Sequence, residues 1–440
     1  MGIKVSKVGG SSFADATQIN KIKAIIGSDE KIKYVVVSAP GKRYSDDTKI
    51  TDLLYLCKTH IEHKIPYEQI FQVIFDRYTG MEKDLGVDVG MAGELEEIRK
   101  EIEAGASVDY IASRGEYLNA RLIAAYLGFA FVDAKQVIKF DDKGRFMEEI
   151  SNGLIKKMLE KNDKVVLPGF YGEKLDGSVK TLSRGGSDIT GAIVARAVGA
   201  EVYENWTDVS GFLMADPRIV ENPKPISTIS YMELRELSYM GASVLHEDAI
   251  YPAKAANIPI NIRNTNRPED PGTMIISEPA AADAEADQVI SGIAGKKDFT
   301  VIGVYKNHLA GEKGFIRRLA GIMEDNDITI EHLPTGIDTM SVVIDKKMLD
   351  GKLDEIVEEM QRQLKPDTLE VFEDMALIAT VGAQMSARKG TSARLFTALA
   401  EAGVNVRMID QGSSEMNIIV GVENKDFEKA IKAIYKAFEE

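Results

Sequence analysis

The run KVGGSSFAD, from Lys7 to Asp15, follows a short apolar segment around Ile3 and Val5 that is typical of a strand. Two glycines and two serines after a lysine bring backbone N–H groups, hydroxyls and one ammonium close to a single point, which suits a phosphate group. A plain strand-to-helix turn tolerates the same residues equally well. No G-x-x-x-x-G-K-[S/T] motif follows a strand, so the run is not a Walker loop.

Similar apolar runs alternate with amphipathic helical patterns through about the first 280 residues. The predicted strands are YVVVSAP (34–40), FAFVDAK (129–135), KVVLPGF (164–170) and IPINIRN (258–264). The helical patterns between them include residues 51–64, 114–127 and 189–198. This alternation predicts a mostly parallel sheet covered by helices, in which ligands bind at the carboxyl ends of the strands.

Length and composition indicate an ordinary globular protein. The chain has 440 residues, which predicts two or three domains, and 44% of them are hydrophobic. The net charge of -15 argues against a broad basic surface for nucleic acid or for an anionic membrane. A single cysteine, Cys57, excludes an intramolecular disulfide, and no run is long and apolar enough to cross a bilayer. Because no signal peptide is visible at the start, we expect a cytoplasmic location.

The last part of the chain contains an internal repeat. The Ala-rich and acidic segment SEPAAADAEADQ (277–288) predicts the boundary before it. After that boundary, residues 314–344 align without a gap on residues 390–420, with Gly314 opposite Gly390. Each copy has the pattern of a helix, a turn and two alternating strands, which predicts a compact second lobe. Chance similarity of two such stretches is the alternative.

The strongest local signal is LSRGGSDITGAIVARAVGA (182–200). Ser187 is placed as a helix N-cap, with Asp188 in the first turn and Gly199 just past the end. Arg184 and two glycines precede this helix, whose N-terminal N–H groups receive anions well. A well-capped helix beside a surface arginine is the simpler interpretation, but the arginine and glycines exceed what capping requires.

A second candidate is the strand that ends at Thr207 and Asp208, whose side chains could contact the ribose or phosphates of a nucleotide. The tryptophan just before them, Trp206, could flank a base, although core packing is the favoured interpretation. In SRGEYLNARLIAAYLG (113–128), Glu116 is expected in the first turn of a helix, where a glutamate usually only complements the helix dipole.

The chain shows no complete set of residues for metal or base catalysis. His60 and His63 stand three residues apart on a predicted helix, but no carboxylate completes a metal site there. No nucleophile–histidine–acid arrangement is visible either. An alcohol acceptor would need a general base, whereas a carboxylate, with a pKa of about 4, is already ionised at neutral pH. The pattern therefore favours phosphoryl transfer to a carboxylate, driven by positioning and charge.

With these residues in view, the whole chain resembles monofunctional aspartate kinases of the amino-acid-kinase family with tandem ACT domains. The resemblance rests on KVGGSS (7–12), TDLL (51–54), RGE (114–116), SRGGSDIT (183–190), TDVSGFLMADPR (207–218), GASVLHEDA (241–249), RNTNRPEDPGT (263–273) and GTSARLFTALAEAGVNVRMIDQGSSEMNI (390–418). It implies an amino-acid-kinase fold, with a mostly parallel sheet between helices, in residues 1–284. It implies two ACT domains, at 289–365 and 366–440. The strand near 288–295 could belong to the second of these domains.

The family implies transfer of the γ-phosphoryl group of ATP to the β-carboxylate of L-aspartate, the first step towards lysine, threonine and methionine. In that assignment the catalytic residues are Lys7, Arg184 and Asp188. Aspartate would be held by Thr51, Glu116, Arg184 and Ser187, with Glu116 on its ammonium and Arg184 on a carboxylate. The nucleotide would contact Lys7, Gly9, Gly10, Ser11, Thr207, Asp208, Leu213, Arg218, Ser243 and Val244. Mg²⁺ would arrive with ATP, without a dedicated set of protein ligands.

The ACT resemblance implies an amino-acid effector, for which lysine is favoured over threonine, and a homodimer or dimer of dimers. The candidate effector residues are Gly314, Phe315, Ile316, Glu331 and Asp338. We expect no nucleic-acid or membrane partner. Two other functions stay open: a related kinase for glutamate, N-acetylglutamate or a nucleotide, and a catalytically silent amino-acid sensor.

Overall fold

The computed structural model describes residues 2–183, 185–242, 245, 247–277 and 289–439. The chain divides into two compact units. The N-terminal unit comprises Met1–Phe212, Pro225–Tyr231 and Val244–Pro279, and the C-terminal unit comprises Leu213–Lys224, Met232–Ser243 and Ala280–Glu440. Two short segments thus group with the C-terminal unit, although the domain limits suggested by the sequence place them within 1–284. The predicted boundary segment falls almost wholly outside the described residues, so those limits stay a proposal.

The N-terminal unit is built from short strands and longer helices. Its strands are β1 (Lys4–Val8), β2 (Ile32–Val37), β3 (Ala130–Phe131), β4 (Lys139–Phe140), β5 (Val165–Pro168), β6 (Tyr171–Lys174), β7 (Val179–Thr181), β8 (Val202–Thr207), β9 (Thr228–Ser230), β10 (Ile260–Asn264) and β11 (Thr273–Ile276). The helices up to residue 255 are α1 (Ala16–Ser28), α2 (Ile50–Glu62), α3 (Glu68–Leu85), α4 (Met91–Glu103), α5 (Val108–Leu127), α6 (Ala134–Val137), α7 (Glu148–Leu159), α8 (Gly186–Val198), α9 (Tyr231–Tyr239) and α10 (Glu247–Ala255). Nearly all of α9 lies in a segment of the C-terminal unit.

The main sheet of this unit has the strand order β3-β5-β2-β1-β8-β10-β11-β9. Its strands pair in parallel except for β10 with β11. The prediction of a mostly parallel sheet is therefore confirmed. Val35 and Val36 are fully buried on opposite faces of β2, because helices cover both sides of the sheet. The carboxyl ends of β1, β2, β8 and β10 consequently lie side by side.

A large hydrophobic core forms where helices α1 to α5 pack on one face of the sheet. Phe13, Leu54, Tyr78 and Leu122 are buried in it. Trp206 belongs to the same core, and its indole N–H donates to Glu204 at 2.9 Å. The expectation that the tryptophan packs in the core is confirmed.

The C-terminal unit contains one five-stranded antiparallel sheet. Its strands are β12 (Gly292–Tyr305), β13 (Thr339–Asp345), β14 (Thr368–Val381), β15 (Met408–Asp410) and β16 (Asn417–Glu423), in the order β13-β12-β14-β16-β15. Its further helices are α11 (Phe315–Asp325), α12 (Leu353–Leu364), α13 (Thr391–Glu401) and α14 (Phe427–Phe438). The matched glycines of the repeat, Gly314 and Gly390, both precede a helix with positive φ, at 77° and 91°.

The two central strands of this sheet, β12 and β14, lie outside the aligned copies of the repeat and connect their strands. Residues 299–305 of β12 pair with β13 of the first copy. Residues 292–296 pair instead with residues 377–381 of β14, which adjoin β16 of the second copy. The beginning of β12 thus lies within the sheet of the second copy.

Among the helices that the structure describes, none combines the length and the apolar character needed to span a membrane.

Candidate active site

A cavity of about 640 Å³ opens at the carboxyl ends of β1, β2 and β8. It brings together seven residues that the sequence proposed for substrate or nucleotide binding: Gly9, Gly10, Ser11, Thr51, Glu116, Thr207 and Asp208. The remaining wall is formed by residues 38–45 and by Lys49. The position of the cavity is the one expected for a ligand site in an open parallel sheet.

The glycine turn after β1 forms one wall of the cavity. The Gly9 N–H donates to the carbonyl of Trp206 at 2.9 Å, and the Gly41 N–H donates to the carbonyl of Gly10 at 2.7 Å. A Cβ atom on Gly10 would lie 2.5 Å from the carbonyl oxygen of Ala39, which no side chain tolerates. Gly10 is therefore required because two backbones approach each other closely at this point. The missing side chain also leaves room for a ligand beside them.

Lys7 lies beneath this turn, near the end of β1. Its side chain is buried, and its Nζ lies 2.6 Å from Oδ1 of Asp188. The same oxygen accepts a hydrogen bond of 2.8 Å from Nδ2 of Asn205. A Cβ atom on Gly9 would stand 3.8 Å from the lysine Nζ, so the ammonium lies against the glycine turn. Two of the proposed catalytic residues are thus in direct contact.

Helix α8, which carries Asp188, starts differently from the prediction. The expectation that Ser187 is the N-cap is wrong, because the cap position is Gly185, with φ of 76°, and the helix begins at Gly186. A left-handed conformation at the cap favours glycine over serine. Ser187 is instead the second helical residue and packs against Gly169, where an added Cβ would lie 2.6 Å away. The helix ends at Val198, and Gly199 follows in the left-handed conformation, just past the end as predicted.

Glu116 also occupies a different position in its helix from the one predicted. It is not in the first turn, because α5 begins at Val108 after Ser107, whose hydroxyl accepts a hydrogen bond from the Tyr110 N–H. Glu116 therefore lies in the middle of the helix and is only 6% exposed. A glutamate at that depth does more than complement a helix dipole.

The carboxyl group of Glu116 has an unusual environment. Burial raises its pKa from 4.5 to about 8, while a hydrogen bond with the Ala39 backbone opposes the shift. Its Oε2 is buried and has no hydrogen-bond partner among the described residues. Since Glu116 also lines the cavity, a cationic group of a ligand would supply the missing partner.

The loop after β2, residues 38–49, is the main part of the site that was not predicted from the sequence. Arg43 donates to Asp47 through Nε at 2.8 Å, and this contact holds the pKa of the Asp47 carboxyl well below its usual range. The buried guanidinium of Arg77 donates to the carbonyl of Gly41 and, at 3.2 Å, to that of Thr48. The signal that could have revealed this loop is the dense charge in GKRYSDDTK (41–49).

Several proposed site residues stay predictions. Arg184, Ser243 and Val244 lie outside the described residues. Leu213 and Arg218 fall in the segment Leu213–Lys224 of the C-terminal unit, where the guanidinium of Arg218 donates to Asp216.

The proposed effector residues surround the start of α11 and the strand beside it. Phe315 is buried and Ile316 is exposed. Glu331 accepts a hydrogen bond of 2.5 Å from the hydroxyl of Tyr239, and Asp338 accepts one of 2.8 Å from the His308 N–H. The role of these residues in effector binding stays a prediction. A cavity of about 680 Å³ lies at the corresponding place in the second copy and is lined by Met385, Arg388, Gly390–Ala393, Gln411–Ser413, Glu415 and Ile418.

Comparison with known proteins fits this architecture. Residues 2–264 match the model of the amino acid kinase family, and residues 378–438 match an ACT domain. The chain is 38% identical to aspartokinase 3 of Bacillus subtilis, over 99% of this chain and 98% of that protein. This chain belongs to the aspartokinases. Aspartokinase 3 of Arabidopsis thaliana chloroplasts is 31% identical over 99% of the chain and 81% of its own length.

Solved aspartokinase structures show the same fold. The aspartate kinase of Clostridium acetobutylicum, described as an allosteric enzyme, is 54% identical, with a TM-score of 0.92 and complete coverage of both chains. Escherichia coli aspartokinase III, crystallised with aspartate and ADP in its R-state, is 25% identical, with a TM-score of 0.74 and complete coverage of both chains. The resemblance drawn from the sequence, the fold class and the kinase assignment are confirmed.

Proposed function

We propose that this aspartokinase transfers the γ-phosphoryl group of ATP to the β-carboxylate of L-aspartate, giving 4-phospho-L-aspartate. The observation that carries the proposal is the buried, unpartnered oxygen of Glu116 in the same cavity as the glycine turn. An acceptor with an α-ammonium would pair with that oxygen, and its carboxylate would then face the turn. The complex of the Escherichia coli relative with aspartate and ADP supports this choice.

The chemistry needs charge and alignment rather than a base. A carboxylate oxygen of aspartate attacks the γ-phosphorus, the bond from that phosphorus to the β,γ-bridging oxygen breaks, and ADP leaves. The acceptor is already ionised, so no proton is removed. The ammonium of Lys7 and the backbone N–H groups that follow Gly9 in the turn would offset the charge on the transferred group. Arg184 would pair with a substrate carboxylate, with Thr51 and Ser187 near the acceptor.

Mg²⁺ would enter with the nucleotide. The described residues contain no cluster of three or more His, Cys, Asp or Glu side chains suited to a metal ion. We propose that phosphate oxygens and water hold most of the metal's coordination sites, with Asp208 as one carboxylate at the cavity wall. When bound, the ion would neutralise phosphate charge.

The direct test is to trap the acyl phosphate with hydroxylamine in the presence of Mg-ATP. We expect hydroxamate with aspartate, and none with N-acetylglutamate, which lacks an ammonium for Glu116. Hydroxamate from glutamate but not from aspartate would contradict the substrate assignment. No ADP release with aspartate, together with tight binding of lysine, would indicate a silent sensor instead.

Replacing Lys7 by alanine tests the phosphate end of the site. We expect a loss of about 3–4 kcal/mol of transition-state stabilisation, the scale of one preorganised electrostatic contact. The matched control is Lys33→Ala, which removes a lysine from β2 that pairs with Asp163 at the surface. The control should retain wild-type turnover in the hydroxamate assay. Activity of Lys7→Ala within a few-fold of wild type would contradict the role.

For regulation, we propose that lysine inhibits through the ACT repeat of a homodimer or dimer of dimers. The T-state structure of the Escherichia coli relative contains lysine and aspartate, which supports this effector. Inhibition requires lysine to bind two conformations with different affinity. Titrating activity with lysine and with threonine, while measuring mass in solution, tests both points. Activity unchanged by lysine would exclude it as the effector. The cytoplasmic location stays a prediction.

A further inference from the structure

Strand β8 holds Asp188 at two points. Lys7 of β1 and Asn205 of β8 are register partners on neighbouring parallel strands. Side chains at paired positions project from the same face of a sheet. Both residues are buried, at 7% and 4% exposure, and both reach Oδ1 of Asp188, at 2.6 Å from Lys7 and 2.8 Å from Asn205.

The second contact comes from Tyr203, two residues earlier on the same face of β8. Its hydroxyl donates to the backbone carbonyl of Asp188 at 3.0 Å. Tyr203 thus fixes the backbone of Asp188, whereas Asn205 acts on the carboxylate itself. The two hydrogen bonds can be removed separately, which makes their roles distinguishable.

The amide of Asn205 controls how the carboxylate meets the ammonium. An ammonium has three donors, and the contact with Oδ1 uses one of them, which leaves two for a phosphate beyond the glycine turn. With the amide in place, the carboxylate cannot rotate freely to present both oxygens to Lys7. Without it, a bidentate contact would draw the ammonium towards Asp188 and away from Gly9. A charged residue at position 205 would either compete for Asp188 or pull on Lys7, so a neutral donor fits this place.

We propose that Asn205 is a positioning residue for phosphoryl transfer, which acts by fixing the Asp188 carboxylate so that the Lys7 ammonium faces the glycine turn. This inference rests on the proposed function.

The test compares three variants in the hydroxamate assay, with the wild-type enzyme as reference. Asn205→Leu removes the donor at similar volume, and we expect kcat to fall roughly 10- to 100-fold, the range for one hydrogen bond to a charged group, with KM for aspartate within about twofold. Tyr203→Phe removes the backbone contact, and we expect a lower Tm with kcat within about threefold of wild type.

Asn205→Asp tests the pH dependence of kcat, which would not change if Asn205 only filled space in the core. The new carboxyl would lie beside that of Asp188, and because two neighbouring carboxylates repel each other, one of the two groups would have a raised pKa. When protonated, the new carboxyl donates as the amide did, and we expect kcat relative to wild type to rise as pH falls. Because this variant keeps the shape of asparagine, it carries the test even where the leucine variant does not fold.

Three results would overturn the inference: wild-type kcat in Asn205→Leu, an equal loss of kcat in Tyr203→Phe, or a pH profile of Asn205→Asp parallel to that of wild type. A wild-type enzyme that forms no hydroxamate from aspartate would instead refute the proposed function.

Discussion

Glu116 makes aspartate binding depend on pH in a way that can be calculated. Its carboxyl is buried in the cavity, and its pKa is raised to about 8. Only the ionised form attracts the substrate ammonium. About a tenth of the free enzyme carries that form at pH 7, and about half carries it at pH 8. We therefore expect KM for aspartate to fall about fivefold over this interval and less than twofold over the next pH unit.

The assay is hydroxamate formation at saturating Mg-ATP, with KM for aspartate measured at several pH values. Glu116→Gln removes the ionisable group, so its KM should be raised at least about 10-fold at pH 8 and should vary little with pH. The matched control is Glu101→Gln on the exposed face of α4, which should follow wild type. A wild-type KM that is constant between pH 7 and 8, or a Glu116→Gln variant with the wild-type slope, would refute the reasoning.

The same pKa shift affects folding, with a definite sign. The folded pKa is about 8 and the usual value is 4.5, so the unfolded chain releases the proton first as pH rises. The contribution of Glu116 to stability is fully present below pH 4.5 and is lost by pH 8. At full extent this corresponds to roughly 4 to 5 kcal/mol. In urea unfolding of the ligand-free enzyme, Glu116→Gln should therefore gain stability relative to wild type as pH rises from 5 to 8.

Two further predictions concern the loops around the cavity. In a urea titration, Gly10→Ala should lower the unfolding free energy by about 1–3 kcal/mol, because the new Cβ would press on the Ala39 carbonyl; activity should also fall. The control is Gly27→Ala in α1, where the new Cβ has no neighbour within 4 Å among the described residues outside its own helix, and it should be neutral or stabilising. Arg77→Met should lower the free energy of unfolding by about 3–5 kcal/mol, because it leaves Asp47 and several loop carbonyls without their buried cation. A decrease below about 1 kcal/mol in thermal or urea unfolding would show that the loop is stable without Arg77.

The sequence predicted the parts of the fold that follow from periodic patterns. Apolar runs located β2, β5 and β10, and the matched glycines located the starts of α11 and α13. Helix starts were less predictable. Ser187 has the chemistry of a cap, but the left-handed turn at Gly185 moved the start of α8. Glu116 looked like a first-turn residue because the predicted helical pattern began at residue 114, whereas the helix begins at Val108 after the cap Ser107.

The candidate site was predictable only where one stretch of chain contains the chemistry. The glycine turn and the strand end at Thr207 could be found in this way. The charge in residues 41–49 marks the loop after β2, but the shape of that loop was not predictable because it depends on Arg77, which lies on a helix farther along the chain. Asn205 was missed for a similar reason: its importance comes from its register with Lys7 on another strand, which single-chain spacing does not reveal.

The strands β12 and β14 have a consequence for how the two copies of the repeat are joined. Each is 14 residues long, or roughly 45 Å at the usual rise. Strand β12 pairs with β13 of the first copy, β14 pairs with β16 of the second, and the two strands pair with each other. Removing the first copy would leave the β12 edge that pairs with β13 unpaired, and removing the second copy would do the same to the β14 edge that pairs with β16. Asp298 and Asp374, both with positive φ, lie near the irregularity where the pairing changes register. The two copies therefore share one continuous hydrogen-bonded sheet, whose ladder between β12 and β14 is interrupted near Asp298 and Asp374.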